Sequence, residues 1–266
     1  AAGSCVYIGS SAGRYWDASG NIAIGLEAMY GGGSAGSPSA NTGTYNTAIG
    51  YNAMKGATTA ATGSNNVAIG KDAGKILQGA ANSNTAIGTN VMKAASNAGF
   101  VDNVGIGMGA LDDVADVALH DVVAVGNYSL SAAGLTAGAN FSVAVGREAL
   151  FALTSGSSNV AIGYQAGDAL TTTSENVIIG HLAGGGAGQY NNAIVGYGAG
   201  TAYTGNSSVF VGSGVAGGAS ASGTNSVGVG RNALLALTTG GSNVAIGHSA
   251  MDSLTTGSNN IAIGAS

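Results

Sequence analysis

One five-residue phrase recurs fifteen times along this chain: Asn, a β-branched residue, Ala, Ile or Val, then Gly. It reads Asn66-Val67-Ala68-Ile69-Gly70 and Asn159-Val160-Ala161-Ile162-Gly163, and returns at Asn260-Ile261-Ala262-Ile263-Gly264. The closing glycines run from Gly9 to Gly264 at intervals of 16 to 25 residues. A repeat of this length is one supersecondary unit that cannot bury its apolar face alone, so it must stack on its neighbours. The expected architecture is therefore all-β: a parallel β-solenoid of about fifteen short repeats spanning 1–266 as a single array. The longest interval, Gly25 to Gly50, holds the only proline, Pro38, in a Gly/Ser-rich stretch that predicts a loop insertion around 30–45.

The composition narrows the function classes. Charged residues are only 7% of the chain, whereas 45% are hydrophobic and fall in register with the repeat, which argues for an ordered stack over disorder. Seven Lys and Arg against twelve Asp and Glu leave a net charge of −5 and no basic footprint for nucleic acid. The single cysteine, Cys5, excludes a disulfide framework or a cysteine-based zinc site within one chain, and a small residue at a repeat position describes it. No apolar run reaches membrane-spanning length within this segment. The chain opens near one repeat and stops two residues after Gly264, which predicts a piece of a longer repetitive protein.

Take the closing glycine as position zero. Position −1 is Ile ten times and Val five times, and position −3 is β-branched in fourteen of fifteen copies. Two apart, they share one strand face, and the expectation is that this face is the axial core. Positions −2 and −4 share the other face; −2 is Ala in nine copies and −4 is Asn in ten. That face is too small and too uncharged for an ordinary outer surface. The expectation is that Ala68, Ala86, Ala144, Ala161 and Ala245 lie at close contact between chains. The Asn series admits two readings, an amide ladder along the stack or a turn-forming cap at each strand entry. Position +3 is Ala in eleven of fourteen copies, which predicts a second short strand or helical turn before a Thr-, Ser- and Gly-rich loop.

The segments Asn-Val-Ala-Ile-Gly-Tyr-Gln-Ala-Gly at 159–167 and Asn-Val-Ala-Ile-Gly-His-Ser-Ala-Met at 243–251 resemble the head repeats of trimeric autotransporter adhesins. They resemble equally the Ala-Ile-Gly repeats of phage tail fibres, whose uneven repeat lengths the 16-to-25 drift matches better. The resemblance implies a left-handed parallel β-roll in a trimeric fibre. It implies an extracellular attachment protein, displayed on a cell surface or a virion, whose partners are its own copies and a surface glycan or protein receptor. A single-chain solenoid that forms filaments or binds ice is the alternative. A third reading, a hexapeptide-type acyltransferase, rests on the similar Ile-Gly-x-x-Ala phrase, but those enzymes run several hexads per turn where one is clear here.

No residue constellation points to an enzyme, a cofactor or a metal. Gly32-Gly33-Ser34-Ala35-Gly36 matches a nucleophile-elbow spacing and Gly31, Gly33 and Gly36 a dinucleotide spacing, but neither sits in a strand–turn–helix context. Asp112, Asp113, Asp116 and Asp121 form one acidic cluster without a calcium-loop pattern. His120, His181 and His248 lie in separate repeats. The sequons at Asn127, Asn140 and Asn206 matter only in a eukaryotic secretory pathway. Trp16 reads as packing against an insertion. The variable position is +1, occupied by Tyr51, Lys71, Arg147, Tyr164, His181, Tyr197, Arg231 and His248. Large polar and aromatic side chains at equivalent sites along a repeat array make a stripe for many weak contacts with a glycan or another surface; plain solvation of an outer face produces the same pattern.

Overall fold

A β-branched, Ala, Ile/Val triplet favours extended backbone, and the glycine after it ends the strand at once. In the computed structural model every repeat forms a strand of three residues closed by a bend at its glycine. The structure describes residues 3–16, 18–31, 41–56, 62–75, 77, 80–93, 99–112, 118–218 and 221–266. Thus 32–40, most of the expected insertion, and Asp113 and Asp116 lie outside the described residues.

The chain divides into two compact units, Ala1–Asn140 and Phe141–Ser266. The first carries β1 (Val6–Ile8), β2 (Ile22–Ile24), β3 (Thr47–Ile49), β4 (Val67–Ile69), β5 (Thr85–Ile87), β6 (Val104–Ile106) and β7 (Val123–Val125). The second carries β8 (Val143–Val145), β9 (Val160–Ile162), β10 (Val177–Ile179), β11 (Ala193–Val195), β12 (Val209–Val211), β13 (Val227–Val229), β14 (Val244–Ile246) and β15 (Ile261–Ile263). Within each unit every strand pairs in parallel with the next, in sequence order. Equivalent positions are partners throughout: Val67 opposes Thr85, Ala68 opposes Ala86 and Ile69 opposes Ile87. The fold is a parallel β-solenoid.

The second strand or helical turn expected after the glycine is instead a run of turns. Residues at −5, +2 and +4 take left-handed backbone almost everywhere, including Asn65 (φ 61°), Asn52 (φ 56°) and Leu150 (φ 51°). Such φ values cost L-residues about 1–2 kcal/mol each. They are offset by hydrogen bonding between coils. The +2 amide donates backwards, as in Gln165 N to Arg147 O at 2.9 Å, and the +4 amide donates forwards, as in Leu150 N to Ala166 O at 3.0 Å. The backbone of the turns is thereby satisfied along the stack, as it is in the strands.

The amide-ladder reading of the Asn series is the one seen: the asparagine before each strand is a rung of a buried row, and the left-handed turn belongs to the residue preceding it. Asn66 donates its backbone N–H to Asn46 Oδ1 at 2.9 Å, its Nδ2 to the same oxygen at 3.0 Å, and Nδ2 again to Ala81 O in the next coil at 2.8 Å. Asn84 and Asn103 repeat the pattern. In the second unit Asn176 and Asn192 do the same, and Asn159 donates its backbone N–H to Ser142 Oγ at 3.3 Å and its Nδ2 to Thr173 O at 2.8 Å. Ser208 and Ser226 continue the row with hydroxyls that accept the next backbone N–H. Cys5 sits in the same row, and its Sγ donates to Ala18 O at 3.1 Å.

The two strand faces are the reverse of the expectation. Ala23, Ala48, Ala68, Ala86, Ala144, Ala161 and Ala245 have no exposed surface and line the interior of the coil. The Ile and Val rows at −3 and −1 face outward; Ile69, Ile162 and Ile246 are each more than a third exposed. The Ala face is therefore an intrachain core and is not available to a second chain. The physical reason is width. Each narrow coil must fit its −2 side chain beside its own +4 side chain. Where −2 is Ala or Gly, +4 is usually large, as in Ala48 with Met54, Gly105 with Leu111 and Ala144 with Leu150. Where −2 is large, +4 is small: Ile178 with Gly184, Ile194 with Gly200 and Phe210 with Ala216. A Cβ added at Gly184 would sit 2.7 Å from Ile178 Cδ1. Ala68 and Ala161 meet glycine at +4 instead, and Leu77 or Leu170 stands beside that glycine.

The closing glycine is required for a different reason. Gly163 has φ +140°, and a Cβ there would lie 2.4 Å from the carbonyl oxygen of Gly180 in the next coil.

Two outcomes follow from this packing. Gly163→Ala should destabilise the second unit by about 3 kcal/mol through backbone strain and overpacking, read as a fall in the urea midpoint. Ile178→Ala should cost about 2–4 kcal/mol as a core cavity. Adding Gly184→Leu to that variant should recover much of the loss, since residue 184 already has φ +61°, close to the φ 51° at which Leu150 is accommodated. A double variant no more stable than Ile178→Ala would refute the trade between the two positions.

Candidate functional site

After the bend at each glycine the chain leaves the strand, and the +1 side chain projects from a turn whose backbone is tied to both neighbouring coils. In the second unit this tie is unbroken. Gln165 N donates to Arg147 O, Leu182 N to Tyr164 O, Gly198 N to His181 O, Gly214 N to Tyr197 O, Asn232 N to Ser213 O and Ser249 N to Arg231 O, all at 2.9–3.0 Å. The +1 residues from Arg147 to His248 therefore form a straight column with one member per coil.

All eight residues of the variable position are exposed: Tyr51, Lys71, Arg147, Tyr164, His181, Tyr197, Arg231 and His248. Four consecutive ones are brought into a stack. The Tyr164 and His181 rings lie 5.0 Å apart at 21°, and His181 and Tyr197 lie 5.2 Å apart at 12°. The spacing is close to that of the strands beneath, so the rings stack because the coils do. The Arg147 guanidinium lies 5.7 Å from the centre of the Tyr164 ring. It is fixed there by Glu148, which accepts from Arg147 Nη2 at 2.9 Å and from Gln165 Nε2 at 2.7 Å. The Gln165 hydrogen bond, followed by that from Arg147, holds the Glu148 carboxyl below its usual pKa.

Arg231 and His248 continue the column, but Ser213 separates them from the rings. Tyr51 and Lys71 occupy adjacent coils of the first unit, where Asp72 N donates to Tyr51 O at 2.9 Å; no ring stack joins them among the described residues.

The first unit holds a cluster that the variable-position pattern missed. Arg14 lies 4.9 Å from the Tyr15 ring centre and 5.9 Å from that of Tyr30, and Lys55 lies 5.6 Å from Tyr30 on the other side. Arg14, Tyr30 and Lys55 all stand at +5, so a column search at every offset would have found them. Trp16 is buried and bridges to Asn41, within the long interval between Gly25 and Gly50. His120 contacts Asp121 and Asn140 and pairs with Val101 at position −6, away from the +1 position. Among the described residues no group of His, Cys, Asp and Glu is arranged to hold a metal ion, and no helix is long and apolar enough to cross a membrane.

No protein-family model matches the chain, and no curated protein is significantly similar to it.

The stack makes a spectroscopic prediction. His181 is sandwiched between two parallel rings, so its ring protons should resonate upfield of those of His248. Replacing Tyr164 and Tyr197 together by Leu should abolish the difference in a proton–carbon spectrum, with the urea midpoint little changed because both tyrosines are exposed.

Proposed function

We propose that this chain is a structural segment of an extracellular attachment fibre, of the phage tail-fibre or bacterial surface-adhesin kind, in which copies of the chain pack as a parallel homotrimer. The observation that carries the reading is the outward Val/Ile face. In the second unit Ile162, Val177, Val209, Val211 and Ile246 are 38–41% exposed, in two uncharged rows that recur on each coil. Contiguous apolar surface of this kind marks an interaction site. A second copy is the occupant it fits best. An identical chain offers the same two rows at the same coil spacing, so parallel copies mate coil by coil with no charge to bury. The number three comes from the resemblance to adhesin heads and tail fibres, and closed rotational symmetry lets every copy use its face. The role is mechanical, not catalytic. The chain stiffens a projection and presents the +1 column to a surface glycan or receptor.

The same flat outward face favours a second reading, a single-chain solenoid that binds ice or forms filaments. It has the required geometry, but hydroxyls are rare in the rows, with Thr47 and Thr85 the threonines among them.

Sedimentation velocity distinguishes these readings. The expected species has three times the 25.2 kDa chain mass. Ile162→Asp with Val177→Asp should yield a folded monomer, because both side chains point outward. Ala161→Arg should unfold the coil itself by burying an unpaired charge. A wild-type chain that is monomeric and stably folded at micromolar concentration would overturn the trimer and favour the single-chain solenoid.

A further inference from the structure

The aromatic column of the second unit ends abruptly, and the way it ends defines a site. Tyr164 has Arg147 on one face and His181 on the other. His181 has a tyrosine on each face. Tyr197 has His181 on one face only, and the next coil offers Ser213 where a ring would continue the stack. Tyr197 is accordingly 64% exposed, against 37% for Tyr164.

The gap has a defined size and lining. The hydrogen-bonded register continues through Ser213 to Arg231, so Tyr197 and Arg231 stand two coils apart. Two strand spacings are about 10 Å, room for one ring between them at the separation the existing rings adopt. The floor is Gly212-Ser213-Gly214, the +2 residue beside Tyr197 is Gly198, and the Asn232 side chain of the next coil lies over Gly214, where an added Cβ would meet its Oδ1 at 2.7 Å. Ser213 is exposed, and the Arg231 guanidinium beyond it is exposed with no carboxylate partner among the described residues.

We propose that the coil of Ser213 is a saccharide slot that takes an acidic pyranose, its face stacked on Tyr197 and its carboxylate held by Arg231. The proposal deepens the attachment-fibre reading and rests on it. Tyrosine faces present apolar area with a polar tip, which suits the C–H face of a sugar. A guanidinium pairs with a carboxylate through two parallel hydrogen bonds. Neither +1 nor +2 carries a carboxylate from Tyr197 to Ser249, so nothing there repels the acid group. The other tyrosine faces of the column are occupied within the stack, which leaves a single terminal slot in the second unit's column.

The test is a glycan array bearing oligosaccharides that end in uronic or sialic acid beside their neutral counterparts, probed with the intact protein. The wild type should retain acidic glycans over the matched neutral ones. Ser213→Tyr, which fills the gap by extending the stack, should bind them about tenfold more weakly, the worth of one aromatic contact, with its melting temperature and sedimentation unchanged. Arg231→Gln should erase the preference for acid over neutral sugars. The proposal fails if no acidic glycan is retained, or if Ser213→Tyr retains the same set with equal strength. Either result with the trimer intact by sedimentation removes the slot alone; loss of the trimer removes the fibre reading itself.

Discussion

The buried asparagine ladder is the constraint on which the rest of the coil depends. An amide in a dry interior is costly unless its donors and acceptor are all met. Here Oδ1 accepts from the next coil and Nδ2 donates to a loop carbonyl of the following coil, and at Asn66, Asn84, Asn103, Asn176 and Asn192 Nδ2 also donates to the preceding asparagine. Those partners exist only if successive coils stack at one register. A slip by one residue would turn every asparagine outward and every isoleucine inward, and would strand the loop carbonyls as well. The ladder therefore specifies alignment, while the apolar contacts between −2, +3 and +4 supply most of the burial.

The closing glycines enforce the same alignment sterically. Gly163, Gly180 and Gly196 each approach the next glycine so closely that a Cβ would fall 2.3–2.4 Å from its carbonyl oxygen. One row of glycines and one row of asparagines thus bracket a three-residue strand, and the loop between repeats absorbs variation in length. That division of labour explains how intervals from 16 to 25 residues coexist with identical strand pairing.

The outer surface inherits its regularity from this interior. Because +1 backbone groups are tied coil to coil, side chains there meet their counterparts at the strand spacing whatever their chemistry. Arg147, Tyr164, His181 and Tyr197 become a stack by position alone, and Ser213 becomes a gap by the same rule. A repeat array can therefore acquire a recognition feature through a single substitution at an outer position, with no change to the core.

The sequence by itself determined the period, the parallel stacking, the strand at each β-branched-Ala-Ile/Val phrase and the shared +1 repeat position of the eight variable residues. These rest on spacing, and spacing survives into any stacked structure. Which face lies inside was decided only by the tertiary structure. Alternation of β-branched and small residues marks two faces but does not rank them, and hydrophobicity alone favours burying Ile69 and exposing Ala68. The coil is too narrow for that choice, since −2 must share its interior with Met54, Leu150 or their equivalents, so the small residue goes in and the branched one goes out. The left-handed backbone of residues such as Leu150 was equally hidden, because only the direction of its amide toward the next coil accounts for it.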